Sequence, residues 1–196
     1  GVSSRDVLVQ RGRRTLAKRR LLAGDHLLLR CDQGDAGPAA PGVEEALLDR
    51  LDALWEACDA VLVSDYDYGV LGDRLISRLA DLQRRAPRVL VVDGKRLPRY
   101  REACPTAVKP NFAGALKLLD EAGPARPFDR SEVAAGRGER ILEATGARIA
   151  AVTMDVEGAL VFERERPPYR TYARAEPSAR SSGAGDTFAA ALALAL

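Results

Sequence analysis

The chain has 196 residues, 46 % of them apolar, which is enough for one domain with a sizeable core and excludes a wholly disordered chain. Lys and Arg number 30 against 28 Asp and Glu, a net charge of +2 that gives no sign of a nucleic-acid or membrane partner and leaves small-molecule chemistry open. A single histidine, His26, makes a His-based catalytic pair or metal cluster hard to build, and the three cysteines, Cys31, Cys58 and Cys104, form no CxxC pair and read as ordinary thiols of a reducing cytoplasm.

Thr15 to Asp32 reads as two short strands around Ala23-Gly24-Asp25, with Leu27, Leu29 and Cys31 alternating with Leu28, Arg30 and Asp32. Gln33 to Gly42 is rich in Gly, Pro and Ala and reads as a loop. From Val43 to Ala57 apolar residues recur every three or four positions, which predicts a helix with Trp55 on its core face. Ala60–Val63 is a buried strand ending in Ser64-Asp65-Tyr66. Leu71 to Arg85 is helical until Pro87, and Val89–Val92 is a second buried strand, ending at Asp93-Gly94-Lys95.

The alternation continues. Ala107-Val108 is a short strand before Lys109-Pro110-Asn111. Ala113–Leu119 is helical, Gly123–Pro127 is a loop, and Ser131–Thr145 is one helix stopped by Gly146. Arg148–Thr153 is a strand, Gly158–Phe162 a hairpin partner or follower, and Tyr169–Ala173 one more strand. Ser181-Ser-Gly-Ala-Gly-Asp186 then opens a helix at Thr187. Strands alternating with helices predict an α/β fold with a mainly parallel, doubly wound sheet. Ligands of such sheets bind at the carboxyl ends of the strands, so Ser64-Asp65, Asp93–Lys95, Lys109–Asn111 and Thr153 are expected to converge on one edge.

Gly183-Ala184-Gly185-Asp186 carries the strongest chemical signal. Small residues let the backbone approach a phosphate, and the helix start offers free N–H groups to an anion. Asp186 beside such an anion is placed to take a proton from an attacking hydroxyl; a helix-capping role is the bland alternative. No apolar run reaches the roughly 20 residues of a membrane span. The absent initiator Met and the Ala/Leu ending lead us to expect a piece of a longer protein, poorly active and poorly stable on its own.

Thr153-Met-Asp-Val-Glu-Gly158 followed by Ser182-Gly-Ala-Gly-Asp186 resembles the ribokinase/PfkB family of carbohydrate kinases. Gly12–Arg20, Leu29–Asp32, Ser64-Asp-Tyr66 with Gly69-Val-Leu71, and Asp93-Gly-Lys95 are similar to its heptose-7-phosphate kinase branch, the kinase half of bifunctional ADP-heptose synthesis proteins. The resemblance implies a ribokinase-like kinase domain, incomplete at both ends, with residues 15–32 as a β lid and 43–196 as the α/β core. It implies ATP and Mg2+ as cofactors, a sugar phosphate as substrate, and the lid strands as the place of a homodimer contact.

By the same resemblance Asp186 would be the base, and the amides of Gly183, Ala184 and Gly185 the anion hole. Asn111, Thr153, Asp155, Glu157 and Gly158 would border ATP. Lys18, Asp65 and Lys95 would face the phosphosugar, with Arg20 as a further candidate; a solvated charge or a lid ion pair is the alternative for each of these four. No residue is assigned as a direct metal ligand. Three places depart from the family pattern. Arg180 and Ser182 stand where relatives hold a monovalent cation, Gly114 replaces the Glu that helps organise magnesium, and Tyr68 replaces the Lys of the branch's SDYxKG.

Overall fold

The computed structural model describes residues 4–24, 26–123, 129–173 and 183–196, apart from the side chain of Leu27. Arg180 and Ser182, the expected loop at Gly123–Pro127 beyond Gly123 itself, and Asp25 lie outside the described residues.

Strands β1 (Ala17–Ala23) and β2 (His26–Gln33) form an antiparallel ribbon, paired from Ala17 with Gln33 to Ala23 with His26. It is a separate two-stranded sheet. Leu21, Leu22, Leu28 and Leu29 are all exposed, so the ribbon buries neither face, and its stability must come from its base. There the Arg13 guanidinium donates to the carbonyls of Pro38 at 2.8 Å, Gly37 at 2.8 Å and Tyr68 at 3.1 Å.

Six further strands make one sheet in the order β3-β4-β5-β6-β7-β8. β3 (Ala60–Asp65), β4 (Val89–Gly94), β5 (Ala107–Val108) and β6 (Ile149–Thr153) are parallel. β7 (Ala159–Glu163) and β8 (Tyr169–Thr171) continue antiparallel. Successive side chains of a strand point to opposite faces. Leu90, Val92, Val108, Ala150 and Val152 enter the larger core, whereas Val91, Ala107 and Ile149 enter a second, smaller one. Strands covered on both faces read as continuous apolar runs, which is how they look in the sequence.

Helices α1 (Pro41–Trp55), α2 (Asp73–Arg85), α3 (Phe112–Leu118), α4 (Arg130–Ala135) and α5 (Gly138–Thr145) contribute to, or pack over, the larger core. α6 (Ala184–Ala195) lies on the other face, where Leu192 and Ala193 cover the smaller core. Helices on both faces of a mainly parallel sheet are the expected architecture. Trp55 is a core residue as predicted: it is buried, and its Nε1 donates to the Ala86 carbonyl at 2.8 Å. Asp52 and Arg78 tie α1 to α2 through a two-pronged pair at 2.6 and 2.7 Å.

One expectation is corrected. Ser131–Thr145 is not one helix; α4 and α5 are separated at Gly136-Arg137. The break seats α5 on β7: a Cβ on Gly138 would lie 2.2 Å from the Phe162 ring, so only glycine allows that approach. Arg137 pins the junction with a bond to Glu121 at 2.6 Å. Leu97–Ala103, unassigned from the sequence, is a 3-10 helix. Its buried residues Leu97, Tyr100 and Ala103 recur every third position, the period on which 3-10 side chains eclipse. Gly146 does end α5, in the left-handed conformation with φ 68°.

Candidate active site

The carboxyl ends of the parallel strands bring the chemistry together. Asp93 is the last residue but one of β4, Lys109 follows β5, and Asn111 bridges to Thr153 at the end of β6. Ser64, Tyr66, Asp93, Lys95, Lys109 and Asn111 line one cavity of about 300 Å³. The first turn of α6 enters from the opposite face, and a Cβ placed on Gly185 would stand 3.3 Å from the Lys109 Nζ. That cradle joins the expected anion hole to the strand-end cluster.

Lys109 is buried and pairs with Asp93 at 3.0 Å. Burial pushes the Asp93 carboxyl above its ordinary pKa, the Lys109 charge opposes that, and Asp186 adds to it. Asp186 is therefore close enough for its charge to be felt at Asp93. Tyr66 sits on Asp186. Its hydroxyl donates to Asp186 Oδ1 at 2.8 Å and to Oδ2 at 3.0 Å. The bond to Asp186, then burial, raises the Tyr66 phenol above its usual value.

Lys18 and Lys95, the two lysines expected to face a substrate, meet the same group of rings. Lys18, on β1, holds its Nζ 4.0 Å from the Tyr66 ring centroid and 5.4 Å from that of Tyr68. Lys95 approaches Tyr68 at 5.3 Å, and the two tyrosine rings stack at 6.1 Å. Tyr68, which replaces the branch's lysine, thus gathers two other lysines by cation–π attraction. Arg20 lies on the ribbon opposite Arg30, and its charge acts on Asp32.

Asp65 has a different environment. It is buried, its Oδ1 accepts from the Asp67 amide at 2.8 Å, and its Oδ2 accepts from the Tyr100 hydroxyl at 2.7 Å. Arg99 stands 3.9 Å away. Burial, then the bond to Asp65, drives the Tyr100 phenol far above the normal range. A raised folded pKa contributes stability that is fully present below the unfolded value of about 10 and is lost as pH rises past it. Tyr100→Phe should cost about 1–3 kcal/mol, lowering Tm by roughly 5 °C at neutral pH. It should also flatten the loss of stability above pH ~10, which thermal melts across pH would read.

The residues expected along ATP divide. Asn111 and Thr153 lie together at the strand ends. Asn111 caps α3 by accepting from the Gly114 amide at 2.7 Å, and a Cβ on residue 114 would stand 2.8 Å from the Asn111 Oδ1. Gly114 thus suits this tight cap. Asp155 and Glu157 both pair with Arg130, at 3.1 and 3.5 Å. Gly158 has φ 85°, and a Cβ there would meet the Thr171 carbonyl oxygen at 2.1 Å.

Sequence reasoning placed Asp93 and Lys109 on the ligand edge but gave neither a role, and it gave Tyr66 none. The signal for the first two was their position at strand ends. Tyr66 also stood at a strand end, in Ser64-Asp65-Tyr66, but its bond to Asp186 was not readable because the partner is 120 residues away.

The sequence profile of the pfkB family carbohydrate kinases matches residues 43–196, the whole α/β core. The chain belongs to the pfkB family of carbohydrate kinases. Transfer of a phosphoryl group from a nucleotide to a sugar is the chemistry of that class, and it implies ATP. Among curated proteins, the bifunctional protein HldE of Caulobacter vibrioides is 32 % identical over 191 residues, covering 97 % of this chain and 38 % of its own length. That of Desulfatibacillum aliphaticivorans is 28 % identical over 201 residues, covering 100 % of this chain and 39 % of its own. The chain thus spans about two fifths of the curated relatives it matches.

Among solved structures, ribokinase from Giardia lamblia superposes with a TM-score of 0.68 at 15 % identity, covering 90 % of this chain and 53 % of its own. Phosphofructokinase-2 from Escherichia coli, in complex with substrates and products, gives 0.65 at 17 % identity over 85 % and 53 %. These likenesses show the ribokinase-like fold of this pfkB kinase. No helix among the described residues is long and apolar enough to cross a membrane, and no three His, Cys, Asp or Glu among them form a metal cluster.

Proposed function

We propose that this pfkB kinase chain phosphorylates a heptose 7-phosphate at its anomeric hydroxyl, using ATP, as part of a cytoplasmic enzyme. The observation that carries the reading is Asp186 in the first turn of α6, beside a glycine that abuts Lys109 and within reach of the rings that hold Lys18 and Lys95. Asp186 takes the proton of the sugar hydroxyl. The amides of Gly183, Ala184 and Gly185 receive the anionic oxygens of the transferring group, and positioning with charge stabilisation supplies most of the rate. Lys18 and Lys95 bind the dianionic phosphate of the sugar, and Asp65 fixes the turn between them from below.

Asn111 and Thr153 border the nucleotide phosphates in this reading. Asp155, Glu157 and Gly158 shape its far wall. A magnesium ion takes few protein ligands and keeps several waters, so the single carboxylate of Asp93, with Asn111 near it, suits a water-bridged ion. ATP and that ion supply the phosphoryl group and neutralise its charge. The exposed leucines of the β1–β2 ribbon are where a second copy would pair in a homodimer.

Tyr68 at the lysine position favours one second reading, a pfkB kinase for another sugar phosphate such as a hexose phosphate. ADP release by the full-length protein, measured by a coupled assay over a panel of sugar phosphates, decides between them. The highest kcat/KM is expected with heptose 7-phosphate. A hexose phosphate in first place would replace the substrate. Nucleotide binding with no transfer to any sugar would make the protein a binding protein on a kinase fold.

A further inference from the structure

A carboxylate that deprotonates a sugar hydroxyl must have that hydroxyl within hydrogen-bond distance. Asp186 is exposed, and one such donor is already seated on it: the Tyr66 hydroxyl shares its proton between the two oxygens, at 2.8 and 3.0 Å. The same ring is held from the other side by Lys18 of the ribbon, 4.0 Å from its centroid, and stacks on Tyr68. One side chain therefore joins the base to the lid. Tyr66 is 42 % exposed, so its ring has open space into which to turn.

We propose that Tyr66 is a specificity residue that competes with water for the carboxylate oxygens of Asp186. Its hydroxyl stays seated there until a sugar displaces it. Lys18 ties that displacement to the lid, because the ammonium that holds the ring is also drawn to the sugar's phosphate. The proposal rests on reading Asp186 as the base. The reaction it suppresses is hydrolysis of ATP. In that reaction the bond between the γ-phosphorus and the bridging oxygen breaks, and a water oxygen bonds to the phosphorus. The water proton passes to Asp186, and ADP leaves with the electron pair, giving inorganic phosphate.

The test compares wild type, Tyr66→Phe, Lys18→Met and Asp186→Asn in the full-length protein. Two rates are read: ADP release without sugar, and sugar-phosphate formation with sugar saturating. Tyr66→Phe keeps the stacked ring and removes only the hydroxyl. It should raise the ratio of hydrolysis to transfer about tenfold, the worth of one charge-assisted hydrogen bond. Calorimetric titration without ATP should show the sugar phosphate binding about threefold tighter to Tyr66→Phe, since it no longer competes with the phenol. Lys18→Met should raise the same ratio while weakening sugar binding. An unchanged ratio in Tyr66→Phe, or hydrolysis and transfer falling together, would overturn that competition and leave Tyr66 as a support for Asp186. Asp186→Asn separates the two ideas: if it abolishes transfer while Tyr66→Phe leaves the ratio unchanged, only the competition fails. If Asp186→Asn transfers normally, the base assignment itself fails.

Discussion

Asp186→Asn should lower kcat for sugar phosphorylation by about 10³-fold, within the range spanned by loss of a general base. The substitution is nearly isosteric, and the amide oxygen still accepts from the Tyr66 hydroxyl, so the first turn of α6 should keep its place. Nucleotide affinity, measured by titration, should stay within about threefold of wild type, because Asn keeps the amides of the proposed anion hole and only the proposed proton acceptor is lost. A variant that transfers phosphate at the normal rate would return Asp186 to a structural place at the helix start.

The second large effect concerns stability. Gly158→Ala should destabilise the fold by about 3 kcal/mol, combining backbone strain with a collision. At φ 85° a side chain is strained, and its Cβ would stand 2.1 Å from the Thr171 carbonyl oxygen on the neighbouring strand. The strand pair β7–β8 would have to part to admit it. A fall in Tm of roughly 6–12 °C is expected. The resemblance placed Gly158 beside ATP; its immediate reason for being glycine is the approach of β8. If Gly158→Ala kept its Tm but lost nucleotide affinity, the ligand would be what requires the glycine.

The fold was legible because its signals are local and repeated. The apolar runs at Ala60–Val63, Val89–Val92 and Arg148–Thr153 all became strands of the main sheet, and the hairpin at Ala23 turned where expected. The break between α4 and α5 was not legible, because it follows from Gly138 meeting Phe162 across the layer. The site was legible to the same extent. Strand ends marked Asp93, Lys109 and Asn111 as neighbours, and the Gly-Ala-Gly turn singled out Asp186. What Asp65 touches was hidden, since its ligand Tyr100 lies in a 3-10 helix that gave no helical period. The meeting of Lys18, Tyr66 and Asp186 was hidden for a simpler reason: they come from a ribbon, a strand end and a helix on the far face of the sheet.

Asp65 acts on two loops at once. One carboxylate oxygen holds the Asp67 amide, in the turn that carries Tyr66 and Tyr68, and the other holds Tyr100, in the helix that follows Lys95. The two walls of the proposed sugar pocket are therefore leashed to a single buried anchor. Weakening that anchor, as in Asp65→Asn or Tyr100→Phe, would loosen both walls together. The pocket's choice of sugar would thus be open to retuning from underneath, through one hydrogen bond between two buried residues.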